Sequence, residues 1–139
     1  MADSKTYVDI AKMSVKDAFD AKYKASLPKV MQKAAEAAVK KSSSLTLDTP
    51  KDKGATGFSI DGSLVSIGPD KAGKKLEGKF SAAISTWPGK SIKAMPSGTA
   101  AMAIPSADKV DSGDVEAIAA AAVESAMKSA TKYMESNAP

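Results

Sequence analysis

Residues 85–91, STWPGKS, contain the tripeptide of this sequence that most resembles a chemical site. The last three of them, Gly-Lys-Ser, match the end of a phosphate-binding loop, in which backbone amides and a lysine hold the phosphates. Such a loop also needs a glycine where this chain has Ile84, and a helix after the serine. The residues that follow, SIKAMPSG, are typical of a strand instead. The sequence therefore argues against a nucleotide site and predicts a hairpin turn at Pro88 and Gly89.

A serine–lysine pair is the second chemistry that the spacing suggests. The pattern Ser-x-x-Lys begins at Ser26, Ser106, Ser125 and Ser129. Penicillin-binding enzymes use this spacing together with Ser-Asp-Asn and Lys-Thr-Gly motifs, and both of those are absent from this sequence. Serine and lysine are also common along the chain, so chance accounts for the matches. We assign no catalytic residue to them.

The sequence has no cysteine and no histidine. This excludes zinc or copper sites built from thiolates and imidazoles, and nucleophiles activated by histidine. The acids Asp108, Asp111, Asp114 and Glu116 lack the spacing of a calcium loop, and they suit the start of a helix. We expect no metal and no cofactor. The alternative to a binding protein is a small enzyme that works through carboxylates or lysine.

Trp87, the only tryptophan, is the centre of our candidate binding site. Lys90, Lys93 and Lys79 are its other members, because the positive charge concentrates around them. An exposed tryptophan beside lysines could bind a sugar, a lipid headgroup or a protein. The alternative is that Trp87 folds over the end of the sheet and packs there. We expect a protein partner or an anionic envelope component as the ligand.

Charge and hydropathy restrict the partners further. The net charge is +4, and every basic residue is a lysine. Arginine is the usual residue for bidentate contacts with phosphate and guanine, so we do not expect nucleic acid as the ligand. No apolar stretch approaches the roughly 18 residues of a membrane helix, and the chain as given shows no secretory signal. Both a cytoplasmic protein and a trimmed exported domain are consistent with this sequence.

Helical periodicity is clearest at the C-terminus. Apolar residues recur on one face from Val115 onward, and Asp111 or Ser112 can cap a helix over 112–135. A second helix is predicted from Leu27 to Lys41, with Ser26 as its cap and Pro28 in its first turn.

The N-terminal residues give a weaker pattern. We expect a flexible segment over residues 1–13, and a helix over 14–24 that joins the next one into a helical region 14–41. The alternating residues TYVDIAKMSV also fit a short strand.

The region 44–104 has the alternation of strands. SLTLD, residues 44–48, is one strand, and Asp61-Gly62 predicts a tight hairpin between two more. A second hairpin spans 76–104, and pairing Ile84 with Ile92 across a three- or five-residue loop keeps its apolar side chains on one face. Pro96 and Gly98 interrupt its second strand and predict an edge position or a bulge.

These patterns predict a single α+β domain over residues 1–139. Its antiparallel sheet has four to five strands, formed by two hairpins and a preceding strand, and the N-terminal and long C-terminal helices lie mainly on one face. The opposite face carries many serine, alanine and threonine residues, which would admit a partner or a second protomer. We therefore predict a non-catalytic binding or protein-interaction module, envelope-associated or secreted, with homo-oligomerisation through this small-residue face as a further expectation.

Overall fold

A computed structural model describes residues 5–18, 22–48, 50–51, 56–89 and 91–137 of the chain. Within these ranges the chain forms six strands, two α-helices and one short 3-10 helix at Ala107–Lys109. The strands and α-helices, in chain order, are β1 (Thr6–Val15), α1 (Tyr23–Lys41), β2 (Leu45–Thr46), β3 (Gly57–Pro69), β4 (Lys75–Trp87), β5 (Ile92–Ala94), β6 (Ser97–Ala103) and α2 (Ser112–Ser136).

The strands form one mixed sheet in the order β2-β1-β3-β4, and both β5 and β6 pair with the far side of β4. Pairing is antiparallel from β3 onward, whereas β1 runs parallel to both β2 and β3. The predicted α+β class is confirmed, with six described strands in place of four to five. The parallel pairs were not predicted; α1 and β2 lie in the crossover between β1 and β3, which supplies the chain length that parallel pairing needs.

The preferred N-terminal prediction was wrong, and its alternative, a strand over TYVDIAKMSV, was right. A strand occupies Thr6–Val15, where we expected a flexible segment followed by a helix from residue 14. Val8 pairs with Phe58 and Ile10 with Ile60, so the strand places its apolar side chains in line with those of β3. Val8 is only 1% exposed in this position. Burial against a strand fifty positions away therefore orders the segment that we expected to be flexible, and the strand continues through residues 14 and 15, where we expected the helix to begin.

The predicted hairpin at Asp61-Gly62 was also wrong, because β3 continues through both residues. A Cβ atom on Gly62 would lie 2.4 Å from the Phe80 ring and 2.5 Å from the Met13 sulfur. Gly62 is thus needed for close packing inside the sheet. In the sequence, a glycine with this role looks the same as the glycine of a turn. The turn that does connect β3 to β4 lies at residues 70–74, where Asp70 accepts hydrogen bonds from the amides of Lys74 and Lys75.

The second predicted hairpin exists, with a different register. Residues 88–91 connect β4 to β5, so the loop has neither three nor five residues. Ile84 faces Ala94, and Ser85 faces Ile92, with a bulge between the two pairs. We expected a loop with an odd number of residues to give Ile84 an apolar partner; the bulge does so instead, by bringing Ala94 opposite it. The same bulge leaves Ile92 61% exposed.

Pro96 separates β5 from β6, as the sequence predicted for this edge. Its carbonyl accepts a hydrogen bond from the amide of Ala82, so the two short strands follow one line along β4. Gly98 is buried within β6.

Both helices pack on the same face of the sheet. α1 begins at Tyr23, four residues earlier than predicted, so Ser26 is not its cap and Pro28 lies inside it. α2 confirms its predicted span, and Asp111 and Asp114 form a reciprocal capping box at its start. The core between the sheet and the helices contains large buried side chains from every layer: Phe80, Leu27, Met31, Leu45, Ile60, Leu64, Leu76, Ile84, Met127 and Met134.

Candidate functional site

Because both helices cover one side of the sheet, the other side has no helix over it among the described residues. We call this side the open face; its central rows include Ser63 paired with Ser81 and Ser81 paired with Ser97. Asp61 pairs with Ala83 in the adjacent row. Short side chains therefore pave the open face, and its surface lies close to the backbone.

A depression of about 340 Å³ lies in the middle of the open face. Its lining consists of Lys12, Ser14, Lys16, Asp61, Gly62, Ser63, Ser81, Ala82, Ala83 and Met95. Two lysines and one carboxylate give it a positive balance. The hydroxyl oxygen of Ser63 is buried at this site and has no hydrogen-bond partner in the described part of the chain. A buried hydroxyl without a partner favours binding of a group that can donate to it or accept from it.

Two large apolar side chains border the depression and the edge of the sheet. Met95 is 67% exposed and contributes to the lining, and Ile92 is 61% exposed opposite Ser85 on the same face. Single exposed apolar residues are ordinary on protein surfaces. Two of them within four residues, beside a row of serines, form a patch suited to contact with another protein.

Trp87 is half-buried at one end of the open face. Its ring meets the ring of Tyr7 edge to face, with 4.7 Å between the centroids. Gly57 stands between the two residues in the sheet, paired with Tyr7 on one side and with Trp87 on the other. Since glycine has no side chain, the two rings close over it. Trp87 thus packs over the end of the sheet while part of its surface stays accessible.

The structure does not gather the predicted site residues into one cluster. Lys79 is exposed on β4, eight residues and roughly 27 Å of extended strand away from Trp87. Lys93 is exposed on β5, near the same end of the sheet as Trp87. Lys90 lies outside the described residues. Tyr7, Ser63 and Met95 were not predicted.

The Gly-Lys-Ser tripeptide leads into a strand, as the sequence indicated. The Thr86 amide donates to the Ser91 carbonyl at 2.9 Å, and the Ser91 amide donates to the Thr86 hydroxyl at 3.0 Å. The Trp87–Pro88 peptide bond is cis. These contacts describe the closing turn of a hairpin, without the helix N-terminus that a phosphate-binding loop requires.

The carboxylates with shifted pKa values have structural partners. The Lys74 amide, with smaller contributions from Lys75 and Gly73, holds the pKa of Asp70 below its ordinary value. The Ser106 hydroxyl lowers the pKa of Asp108 in the same way. Both groups are ionised at neutral pH, which does not suit a general acid. Among the described residues, no group of three or more acids comes together as a metal site would require.

A second depression of about 580 Å³ lies on the outer surface between α1 and α2. Alanines from both helices line it, with Lys41, Lys128, Glu124 and Glu135 around them. The Ser42 hydroxyl donates to the Glu135 carboxylate and joins the two helix ends. The charges in this groove balance each other.

Neither α-helix, over its described residues, is long and apolar enough to cross a membrane.

No family model and no curated protein matches this sequence. Among solved structures, a DUF330-family protein from Xanthomonas campestris superposes with a TM-score of 0.59 at 13% identity, over 94% of this chain and 83% of that one. The PelC dodecamer from Paraburkholderia phytofirmans gives 0.51 at 6% identity, over 86% and 84%. A homologue of neuraminyllactose-binding hemagglutinin from Helicobacter pylori gives 0.51 at 14%, over 95% and 83%. At these identities the comparisons show a shared fold.

Proposed function

We propose that this protein is a non-catalytic protein-interaction module that binds its partner through the open face of the sheet. The observation that supports the proposal is the exposed apolar pair Ile92 and Met95, beside a depression floored by serines and alanines. Short side chains let a partner approach the sheet closely, and apolar contacts at the centre of an interface supply most of its affinity. The hydroxyl of Ser63 is a polar group that such a partner would satisfy.

Charge indicates the chemistry of the partner surface. Lys12 and Lys16 are exposed in the lining of the depression with Met95 and Asp61, and the exposed Lys93 follows Ile92 on β5. A partner with acidic residues around an apolar centre would complement this arrangement and associate faster at low salt. The predicted binding residues Trp87 and Lys93 belong to this proposal as one end of the interface, and Lys90 stays a member predicted from the sequence.

The shared fold supports two parts of the proposal. One similar structure is described as a dodecamer and another as a hemagglutinin homologue, so the fold serves for assembly and for binding in other proteins. We extend the proposal to an exported or envelope-associated protein on this basis. The ligands of those proteins are not carried over to this chain.

The test uses variants that alter the open face without altering the core. Ile92→Lys and Met95→Lys replace side chains that are already exposed, so we expect both proteins to unfold at the wild-type temperature. Ala117→Lys, at an exposed position of α2, is the matched control. Immobilised wild-type protein should retain a specific protein from a cell-envelope extract. The Ile92→Lys/Met95→Lys variant should lose it, and the control should keep it.

Quantitative mass spectrometry of the retained proteins measures the outcome. If the double variant and the wild type retain the same proteins in the same amounts, the open face is not the binding surface. Retention by the wild type should also fall as salt is raised, since part of the attraction is between lysines and acids.

A further inference from the structure

The outer edge of β6 carries main-chain groups with no partner in the described chain. The amide of Ile104 donates to Lys74, and the amide of Ala82 donates to Pro96, both at 2.9 Å. Pro96 and Ile104 are even-numbered, and main-chain groups alternate in direction along a strand. The even-numbered residues of β6 therefore point their main-chain groups towards β4. The odd-numbered residues Ser97, Thr99, Ala101 and Ala103 therefore point their amides and carbonyls away from the sheet. Their side chains lie on the open face and are exposed.

This edge lacks the devices that normally prevent strand pairing between molecules. Natural edges are kept short, or carry charged residues, prolines or bulges. In the described sheet, β2 has two residues, the part of β1 beyond β2 has a bulge and the exposed Lys12, and β5 has a bulge and the exposed Lys93. β6 has seven residues with neither charge nor proline, in the sequence SGTAAMA. Pro96 and Pro105 limit the stretch at both ends.

We propose that β6 pairs antiparallel with β6 of a second copy of this chain, around a two-fold axis beside Ala100. In this register Ser97 faces Ala103 of the second copy, and Thr99 faces its Ala101. All four outward-pointing residues of each chain then fall in hydrogen-bonded pairs, which gives about eight main-chain hydrogen bonds. The facing side chains are small and uncharged. The two sheets become one continuous sheet, and the pairing uses the β6 edge of both copies, so this two-fold contact joins two chains and no more.

Charge complementarity selects this register. Thr99 is paired with Lys79 on β4, and Ala101 is paired with Glu77. The two-fold axis therefore aligns Lys79 of one copy with Glu77 of the other, in two symmetric rows across the new junction. The Cα atoms in each row are roughly 14 Å apart, three strand spacings, and Thr99 and Ala101 are short enough to leave open the space across which the two charges attract each other. A depression of about 500 Å³ lined by these four residues already lies along the edge.

The helix layer also admits a second copy. A Cβ atom on Gly98 would lie 2.8 Å from the Cβ of Ser125, and one on Gly78 of β4 would lie 2.8 Å from the Ile118 side chain, so α2 lies over both β6 and β4. Near this level α2 exposes the small side chains of Ser125 and Ser129, which let a second helix approach closely. The proposed dimer therefore places helix beside helix and strand beside strand.

This inference goes beyond the proposed function, because the edge of β6 is a different surface from the Met95 depression. Sedimentation equilibrium tests it with a charge exchange. Wild-type protein should be a dimer. Lys79→Glu should weaken the dimer about tenfold, because attraction becomes repulsion in two symmetric rows, and Glu77→Lys should weaken it similarly. The double variant Glu77→Lys/Lys79→Glu restores opposite charges in both rows, so it should restore the dimer.

A second variant tests the main-chain pairing. Ala101→Pro removes an amide that points away from the sheet, a position at which an edge strand tolerates proline, and it should give a folded monomer. Met95→Lys is the control and should leave the dimer intact. Wild-type protein that stays monomeric at about 1 mM would overturn the inference and leave the open-face proposal standing. A dimer that is lost in Met95→Lys but kept in both single variants, Lys79→Glu and Glu77→Lys, would also overturn the inference.

Discussion

At the scale of single residues, the contact between Tyr7 and Trp87 links the first strand of the chain to the centre of the sheet. Their rings meet edge to face at 4.7 Å above Gly57, which pairs with both residues. Aromatic pairs of this geometry contribute about 0.5–1.5 kcal/mol beyond their buried area. A double-mutant cycle with Tyr7→Leu and Trp87→Leu should therefore give a coupling free energy in that range. Urea unfolding followed by circular dichroism measures it.

The control cycle pairs Trp87→Leu with Met134→Leu, because Met134 is fully buried on α2, on the helix side of the sheet. Those two changes should add without coupling. If Tyr7 and Trp87 also add, the two rings are neighbours that do not stabilise each other. The exposed part of Trp87 would then be its more important surface.

At this scale the sequence predicted the type of contact and not its partner. The lone tryptophan, the turn at Pro88 and Gly89 and the strand-like residues after them indicated that Trp87 lies at the end of a hairpin. The position of Tyr7 depends on a parallel strand that pairs with residues fifty positions away. Local spacing carries no signal of such a pair.

At the scale of elements, α2 packs on β6 through a glycine. The carbonyl oxygen of Ala122 and the amide nitrogen of Ala126 both lie 2.4 Å from the place where a Cβ of Gly98 would stand. These are backbone atoms of a long helix, so they cannot move without shifting the helix. Gly98→Ala should destabilise the protein by about 1–3 kcal/mol, measured by urea unfolding.

Gly89→Ala is the matched control for this prediction. Among the described residues, its Cβ would meet the Thr86 hydroxyl oxygen alone, at 3.3 Å, in an exposed connection between strands. We expect a change within about 0.5 kcal/mol. Equal losses in the two variants would mean that the strand conformation of glycine, and not the approach of α2, determines the cost.

The elements also show which sequence signals are reliable. α2 was predicted with its cap because its periodicity is long and Asp111 is a strong start signal. The turn predicted at Asp61-Gly62 failed because Gly62 makes room for Phe80, a residue eighteen positions later. The register of the second hairpin failed because a bulge is one extra residue that alternation alone does not locate.

At the scale of the whole molecule, the two-layer architecture creates the candidate site. The sequence predicted a face of small residues, but its depression and its apolar border depend on how far strands shift against each other. Ile92 had the alternation of a buried residue and is exposed because of the bulge before it. The candidate binding surface therefore depends on the register of the strands, and that register forms only when the sheet is complete.

The same dependence predicts that the chain unfolds as one unit, as the prediction of a single domain over residues 1–139 also implies. β1 lies inside the sheet between β2 and β3, and α1 covers the core with Leu27 and Met31 fully buried. Unfolding curves from circular dichroism, which follows the helices, and from Trp87 fluorescence, which follows the sheet, should coincide. A fragment of residues 56–139 keeps the antiparallel strands and α2 but loses one side of that core, so it should show no cooperative transition. A cooperative transition in the fragment, or two separate transitions in the full chain, would show that β1 and α1 form a dispensable layer.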